Sequence, residues 1–415
     1  MSPNRDGHQY ESRGGPLAAN HLPMLFYAVG LRFTTGCPAS RTIIYMEPMA
    51  NSLHMELASR TAHTLHAGSP FGGRRSLGCS LAIALLVACS HPGRAAAGNG
   101  LLAKVADVPL PGRSTRFDYQ EIDARAGLLV VAHMHDNSVL LLDLADGSVR
   151  KKLNGIPTPR GVTVDPRAGI IFVTSTPGFA AGTPGHLVLI DDAKLREIAR
   201  VETGSAPDGN AWDADDRIIG VSDQRDGALS MIADAGRGAR KQVRLGDETG
   251  NVVYDHGRHR FWITVVGPKR PDRLVQVDPK TANVTATIAL PGCRGAHGLR
   301  IHPDGKSALI ACEDNERLAR VDLGNEHAIV TARTGAGPDV LAIDPGLGWL
   351  YVAAESGDVT VFDLGKSGLV LVGHVHPGAH AHTVSVDPAT HRVFFPLMKG
   401  PKGKPILRIM RPVDR

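Results

Sequence analysis

The feature that most constrains this chain is an internal repeat marked by a strand that ends in an Asp-turn. The turn recurs as EIDARAG at Asp123, TVDPRAG at Asp165, AWDADDR at Asp213, VYDHGRH at Asp255, RIHPDGK at His302, AIDPGLG at Asp344 and SVDPATH at Asp387. Successive anchors lie 42 to 48 residues apart. Each turn leads into a second apolar strand, such as LLVVAHM or WLYVAAE, and then a third that usually ends in Asp, such as VLLLDL. A weaker fourth strand, such as TATIALPG, closes the unit. Four short strands per repeat of 40 to 50 residues define a β-propeller blade. One such sheet has two apolar faces, and only radial packing against neighbours buries both.

Seven anchors predict an all-β, seven-bladed propeller of four-stranded antiparallel blades. The last repeat runs out after its third strand. Ahead of the first repeat, Leu101–Gly112 (LLAKVADVPLPG) has the look of a fourth strand. The N-terminal strand is therefore expected to complete the last blade and remove an exposed edge. Residues 191–202 (DDAKLREIARVE) are helical by propensity, but the repeat register makes them a turn and a fourth strand. The anchor aspartates are expected to accept backbone N–H bonds at the turn, where Pro presets φ. Trp212, Trp262 and Trp349 fall at anchor or second-strand positions and are expected in the core. His256 and His259 fall at a turn on the face away from the strand starts.

The expected organisation has three parts. Residues 1–72 show no strand or helix period and read as a disordered or over-extended N-terminus. Residues 73–97 read as a signal-peptide or lipobox region: Arg74-Arg75 precede an apolar run, Leu77 to Ala88, too short for a membrane span. Two processing sites compete after it, a lipobox ending on Cys89, which would be lipidated, and an A-x-A site at Ala95–Ala97. Either one predicts export to the periplasm or to the outer membrane, with membrane attachment only through a lipid on Cys89. Residues 101–415 form the propeller, whose two cysteines, Cys293 and Cys312, suit a disulfide in an exported chain or, less simply, thiol metal ligation. The net charge of +5 is small and the basic residues are scattered singly, which argues against a nucleic-acid partner.

The repeat also maps one site. The innermost strand starts about five residues before each anchor, beside the central channel. Around the ring that position reads Asp118, Arg160, Asp208, Gly250 followed by Asn251, His297, Asp339 and His382. The end of the second strand returns to the same rim with His133, His135, Asp136, Asp223, Glu313 and Glu355, and His380 sits just ahead of His382. Imidazoles with carboxylates are candidate ligands for a divalent metal ion, with His297, His382, Asp339 and Asp118 as the ligand set. Such an ion would acidify water for hydrolysis. The same groups would alternatively bind a small polar ligand without chemistry, with Arg160 as a fork for a carboxylate or phosphate, or simply bond one another in a wet channel. A third use of the fold is as a scaffold for another exported protein, through blade edges or the loop PGFAAGTPG (177–185). No G-x-S-x-G, H-E-x-x-H, Walker, Rossmann or C-x-x-C-H motif occurs, and no covalent nucleophile is marked.

The units FDYQEID (117–123), Asp344–Val352 and AHTVSVDPATHRVFFPL (381–397) resemble the YncE-like, YVTN-repeat family of bacterial seven-bladed propellers. The resemblance covers about residues 101–400. Blade 3 lacks the Asp-Pro, and blade 5 has His302 in place of Asp. The resemblance implies the fold, but the superfamily contains binding proteins, lactonase-like hydrolases and dehydrogenase subunits, so function has to come from the site. The expectation is an exported propeller that binds a small polar ligand or a protein partner at the Asp/His/Arg-lined channel mouth. The alternative is a metal-dependent lactonase-like hydrolase at the same mouth.

Overall fold

The computed structural model describes residues 100–268, 270–324, 327–365 and 368–413. The expectations for residues 1–72 and 73–97, including Cys89, lie outside the described residues.

Seven antiparallel four-stranded sheets follow one another along the chain. Blade 1 is built from Gln120–Asp123, Leu128–His133, Ser138–Asp143 and Val149–Asn154, which serve as strands a to d from the axis outward. Blades 2 to 6 repeat this order from Pro159–Asp165 to Val370–Val375. Blade 7 takes strands a to c from Ser385–Asp387, Arg392–Leu397 and Ile406–Pro412, and its strand d is Leu102–Pro109. That N-terminal strand pairs Leu102 with Pro412 and Pro109 with Ile406, across one bulge between Lys104 and Ala106. Asp107 locks the seam by accepting from Arg408 Nε at 2.7 Å and from Nη2 at 2.8 Å. The segment that reads as helical continues as a strand, Arg196–Ser205. Pairing with its neighbour in the sheet overrides its local propensity.

The anchor residues explain the repeated turn. Oδ1 of Asp165, Asp213, Asp255, Asp344 and Asp387 each accepts a backbone N–H two residues on, at 2.9–3.0 Å. In blade 5 the Nδ1 of His302 takes over as acceptor for the Asp304 N–H at 3.2 Å, so the departure from Asp keeps the turn. The core lies between blades. Leu128, Val130 and Leu141 of blade 1, for example, pack with Ile171, Val173 and Val188 of blade 2. Trp262 is fully buried, whereas Trp212 and Trp349 are only half-buried. Trp212 is the penultimate residue of strand a in blade 3 and Trp349 the first residue of strand b in blade 6, so both flank the a–b turn. Cys293 and Cys312 are bonded, with Cα atoms 5.2 Å apart, and tie the entry of strand a to the end of strand b in blade 5.

Candidate functional site

In blades 2 to 6 the pairing of strand a with strand b slips by a residue near its start, between Pro159 and Val162, Pro207 and Asn210, Thr249 and Val252, Ala296 and Leu299, and Pro338 and Leu341. Such a bulge re-aims a side chain, and here it brings residues of different blades into contact at the axis. Gly161, Gly209 and Gly298 follow the ring residues Arg160, Asp208 and His297. A Cβ on any of them would collide with the next blade: with Asp208 O, Asn251 Oδ1 and Asp339 O respectively. The glycines let adjacent strands approach closely enough to make the channel narrow. Thr174, Ser222 and Thr264 of strand b bond across to carbonyls of Asp208, Gly250 and His297 at 2.5, 2.5 and 3.0 Å.

The ring residues Asp118, Arg160, Asp208, Asn251, His297, Asp339 and His382 are all at least nine-tenths buried. Arg160 Nε lies 3.4 Å from Asp118, and its Nη2 lies 3.1 Å from Asp208. His297 Nε2 lies 2.8 Å from Asp208 Oδ2, while its Nδ1 is 3.2 Å from Asp339 and 3.5 Å from Glu313. Burial works against charge on His297, yet Glu313, Asp208 and Asp339 outweigh it and hold the imidazole well above its ordinary value. Burial likewise opposes ionisation of Asp339 and Asp208, but His297 on the first and Arg160 on the second keep both below the usual carboxylate range. Asp118 is raised because burial exceeds the pull of Arg160 and Arg116. Burial also pushes Glu313 up to about 7.

Two groups of donors result. One atom from each of Asp118, Asp339 and His382 lies within 4.8 Å of the other two, and the same holds for His297, Glu313 and Asp339. Ligands of one ion stand about 2.0–2.6 Å from it, so both groups have the right spacing. The first group also has an unsatisfied atom. His382 Nδ1 faces the His380 carbonyl at 3.2 Å, an arrangement that fixes the proton on Nδ1 and leaves a lone pair on Nε2. His382 Nε2 has no hydrogen-bond partner, whereas Asp339 Oδ1 faces the His297 imidazole at 3.2 Å.

Several expectations change. Arg160 is not a free fork for an anion: Asp118 and Asp208 neutralise it, Gln224 accepts from its Nη1 at 2.8 Å, and Phe179 of the 177–185 loop lies over it at 5.7 Å. His133 does not join the ring, because it is fully buried and stacked on Phe117 at 4.1 Å. Burial there depresses its imidazole to about 4. Glu355 reaches the site through Arg116, which ion-pairs with it and sits 3.6 Å from Asp339. Arg116 and Tyr119 are additional members of the site. The Tyr119 hydroxyl accepts from Asn251 Nδ2 at 2.9 Å and lies 3.4 Å from His297 Nδ1. In total, Asp118, Asp208, Asp339, Glu313 and Glu355 face Arg116, Arg160 and His297, an excess of carboxylates.

No family model and no curated protein matches the sequence. Among solved structures, hydrazine synthase of Kuenenia stuttgartiensis matches with a TM-score of 0.61 at 15% identity, over 74% of this chain and 96% of that one. The Cps50 (Swd1) β-propeller domain of Myceliophteria thermophila matches with a TM-score of 0.59 at 13% identity, over 75% and 100%. At these identities the likeness shows fold alone: the chain is a seven-bladed β-propeller.

Proposed function

We propose that the protein is an exported propeller that binds a small polar ligand at the ring mouth, and that the recognised part of the ligand is positively charged. The observation that carries this reading is the group Asp118, Asp339 and His382: three buried donors within 4.8 Å, with His382 Nε2 left unpartnered. The excess of carboxylates disfavours an anion. The apolar run before Cys89 and the YncE-like resemblance support a periplasmic or outer-membrane setting. Titration calorimetry of the full chain with Mn²⁺, Zn²⁺ and Ca²⁺, and with putrescine and choline, tests it. One equivalent of a cation should bind, and His382→Ala and Asp339→Asn should abolish binding. Failure of every probe at millimolar concentration would end this reading.

A second reading is favoured by Glu313, which burial raises to about 7. Asp118, Asp339 and His382 would hold a divalent ion, which would supply Lewis acidity for lactonase-type hydrolysis. Glu313, close to neutrality, suits the role of base. Turnover of a lactone panel that depends on Glu313 supports this reading, and metal-loaded protein without turnover rejects it.

A further inference from the structure

Three residues beyond each ring position, the strands a contribute a second tier to the channel. Reading it around the axis gives Glu121, Thr163, Ala211, Val253, Arg300, Ala342 and Ser385. Five of these are small or uncharged, and the two charged ones are of opposite sign on blades 1 and 5. All seven line two adjacent cavities of about 400 and 190 Å³, and both cavities include Glu121 and Arg300. The larger falls in the size range of small-molecule sites, and Trp212, Tyr254 and His256 form its outer wall.

The charged pair is not closed on itself. Among the described residues, Glu121 accepts only the N–H of Ile122, at 3.1 Å, and Arg300 donates only to the Leu299 carbonyl, at 3.2 Å. No ion pair within 4.0 Å joins them, and burial raises the Glu121 carboxyl above its ordinary value against the opposing pull of the Arg300 charge. A carboxylate and a guanidinium facing across a cavity of small side chains, each with free hydrogen-bonding capacity, are complementary to a molecule that carries both signs. We propose that this second tier is a separate binding site for a small zwitterion of the α-amino-acid or betaine type, with its cationic group at Glu121 and its carboxylate at Arg300. Arg300 offers a planar fork for the carboxylate. Trp212 and Tyr254 give an apolar side chain or a methylated ammonium an aromatic wall. The site is distinct from the ring mouth, from which Tyr119 and Asn251 divide it: both line the cavity while bonding each other at 2.9 Å.

Calorimetry of the full chain tests this with glycine, L-leucine, L-phenylalanine and glycine betaine, using acetate and methylammonium as single-charge controls. At least one zwitterion should bind, and each control should bind at least about tenfold more weakly, as expected from the loss of one charge-assisted contact. Glu121→Gln and Arg300→Gln should each weaken binding by about tenfold or more. Ala211→Leu, at a residue that lines the larger cavity, keeps both charges and should block it. His382→Ala should leave zwitterion binding unchanged, which separates this site from the ring mouth. The proposal is overturned if no zwitterion binds at millimolar concentration, if acetate binds as well as the zwitterions, or if Glu121→Gln and Arg300→Gln bind like the parent protein.

Discussion

Replacing Asp208 by Asn removes one negative charge from the centre of the ring and leaves its volume almost unchanged. Asp208 is fully buried between Arg160, 3.1 Å away, and the His297 imidazole, 2.8 Å away. Breaking a buried ion pair from one side costs about 3–5 kcal/mol, because the partner charge stays buried. Asp118 and Asp339 remain beside the two cations, so the lower end applies, about 3 kcal/mol. Urea unfolding followed by fluorescence would measure it. The pH dependence carries the sign. His297 titrates higher folded than unfolded, so its stabilisation is complete below its ordinary value of 6.5 and is lost as pH rises through the raised folded value. Asp208 titrates lower folded than unfolded, so its share is present above 3.8 and lost as pH falls through its depressed folded value. The deficit of the variant should therefore be largest between about pH 4 and 6.5 and shrink in alkali. The imidazole NMR titration of His297 should also move to lower pH. A stability change under about 0.5 kcal/mol, within the range of an ordinary surface change, together with an unmoved His297 titration, would refute the coupling.

Replacing both Cys293 and Cys312 by Ala opens a link between residues 19 apart. Urea unfolding should show a loss of about 3 kcal/mol, as chain entropy predicts for a loop of that length. Gly298→Ala places a methyl group against the Asp339 carbonyl. The strands must part, and stability should drop by about 3 kcal/mol, near the upper end for overpacking; an unchanged melting curve would show that the axis has slack. His133 titrates at about 4 when folded, below its ordinary value, so the parent loses stability relative to His133→Gln as pH falls from about 6.5 to 4. The relative loss should approach about 3 kcal/mol, because the imidazole is fully buried. A pH-independent difference between the two proteins would contradict the burial argument.

The repeat was legible because each blade writes its turn with the same chemistry, and the exception at His302 still supplies an acceptor. Counting back five residues also located the ring, since strand a starts at a fixed distance from that turn. What the count could not give was contact between particular blades. His297 of blade 5 reaches Asp208 of blade 3, past its own neighbour, because glycines narrow the axis. Arg116 precedes the first strand a and has no counterpart in the repeat pattern, so nothing in the register marked it. Tyr119 was hidden differently: an aromatic inside a strand pattern is expected to pack, yet its hydroxyl ends on His297 and Asn251. His133 has the right position for the rim, but its ring stacks on Phe117, a contact that spacing does not encode.

The strand that completes blade 7 joins residues about 300 positions apart, as the Asp107–Arg408 pair shows. Such a contact is among the slowest to form, since the chain between must already be compact before the two ends meet. During synthesis, six blades can stack in order while the seventh waits as an unpaired edge. The circle therefore behaves as a latch that shuts last. Until it does, Asp118 of blade 1 and His382 of blade 7, neighbours in the finished ring, remain on opposite sides of the gap, and the donor group they form with Asp339 is incomplete.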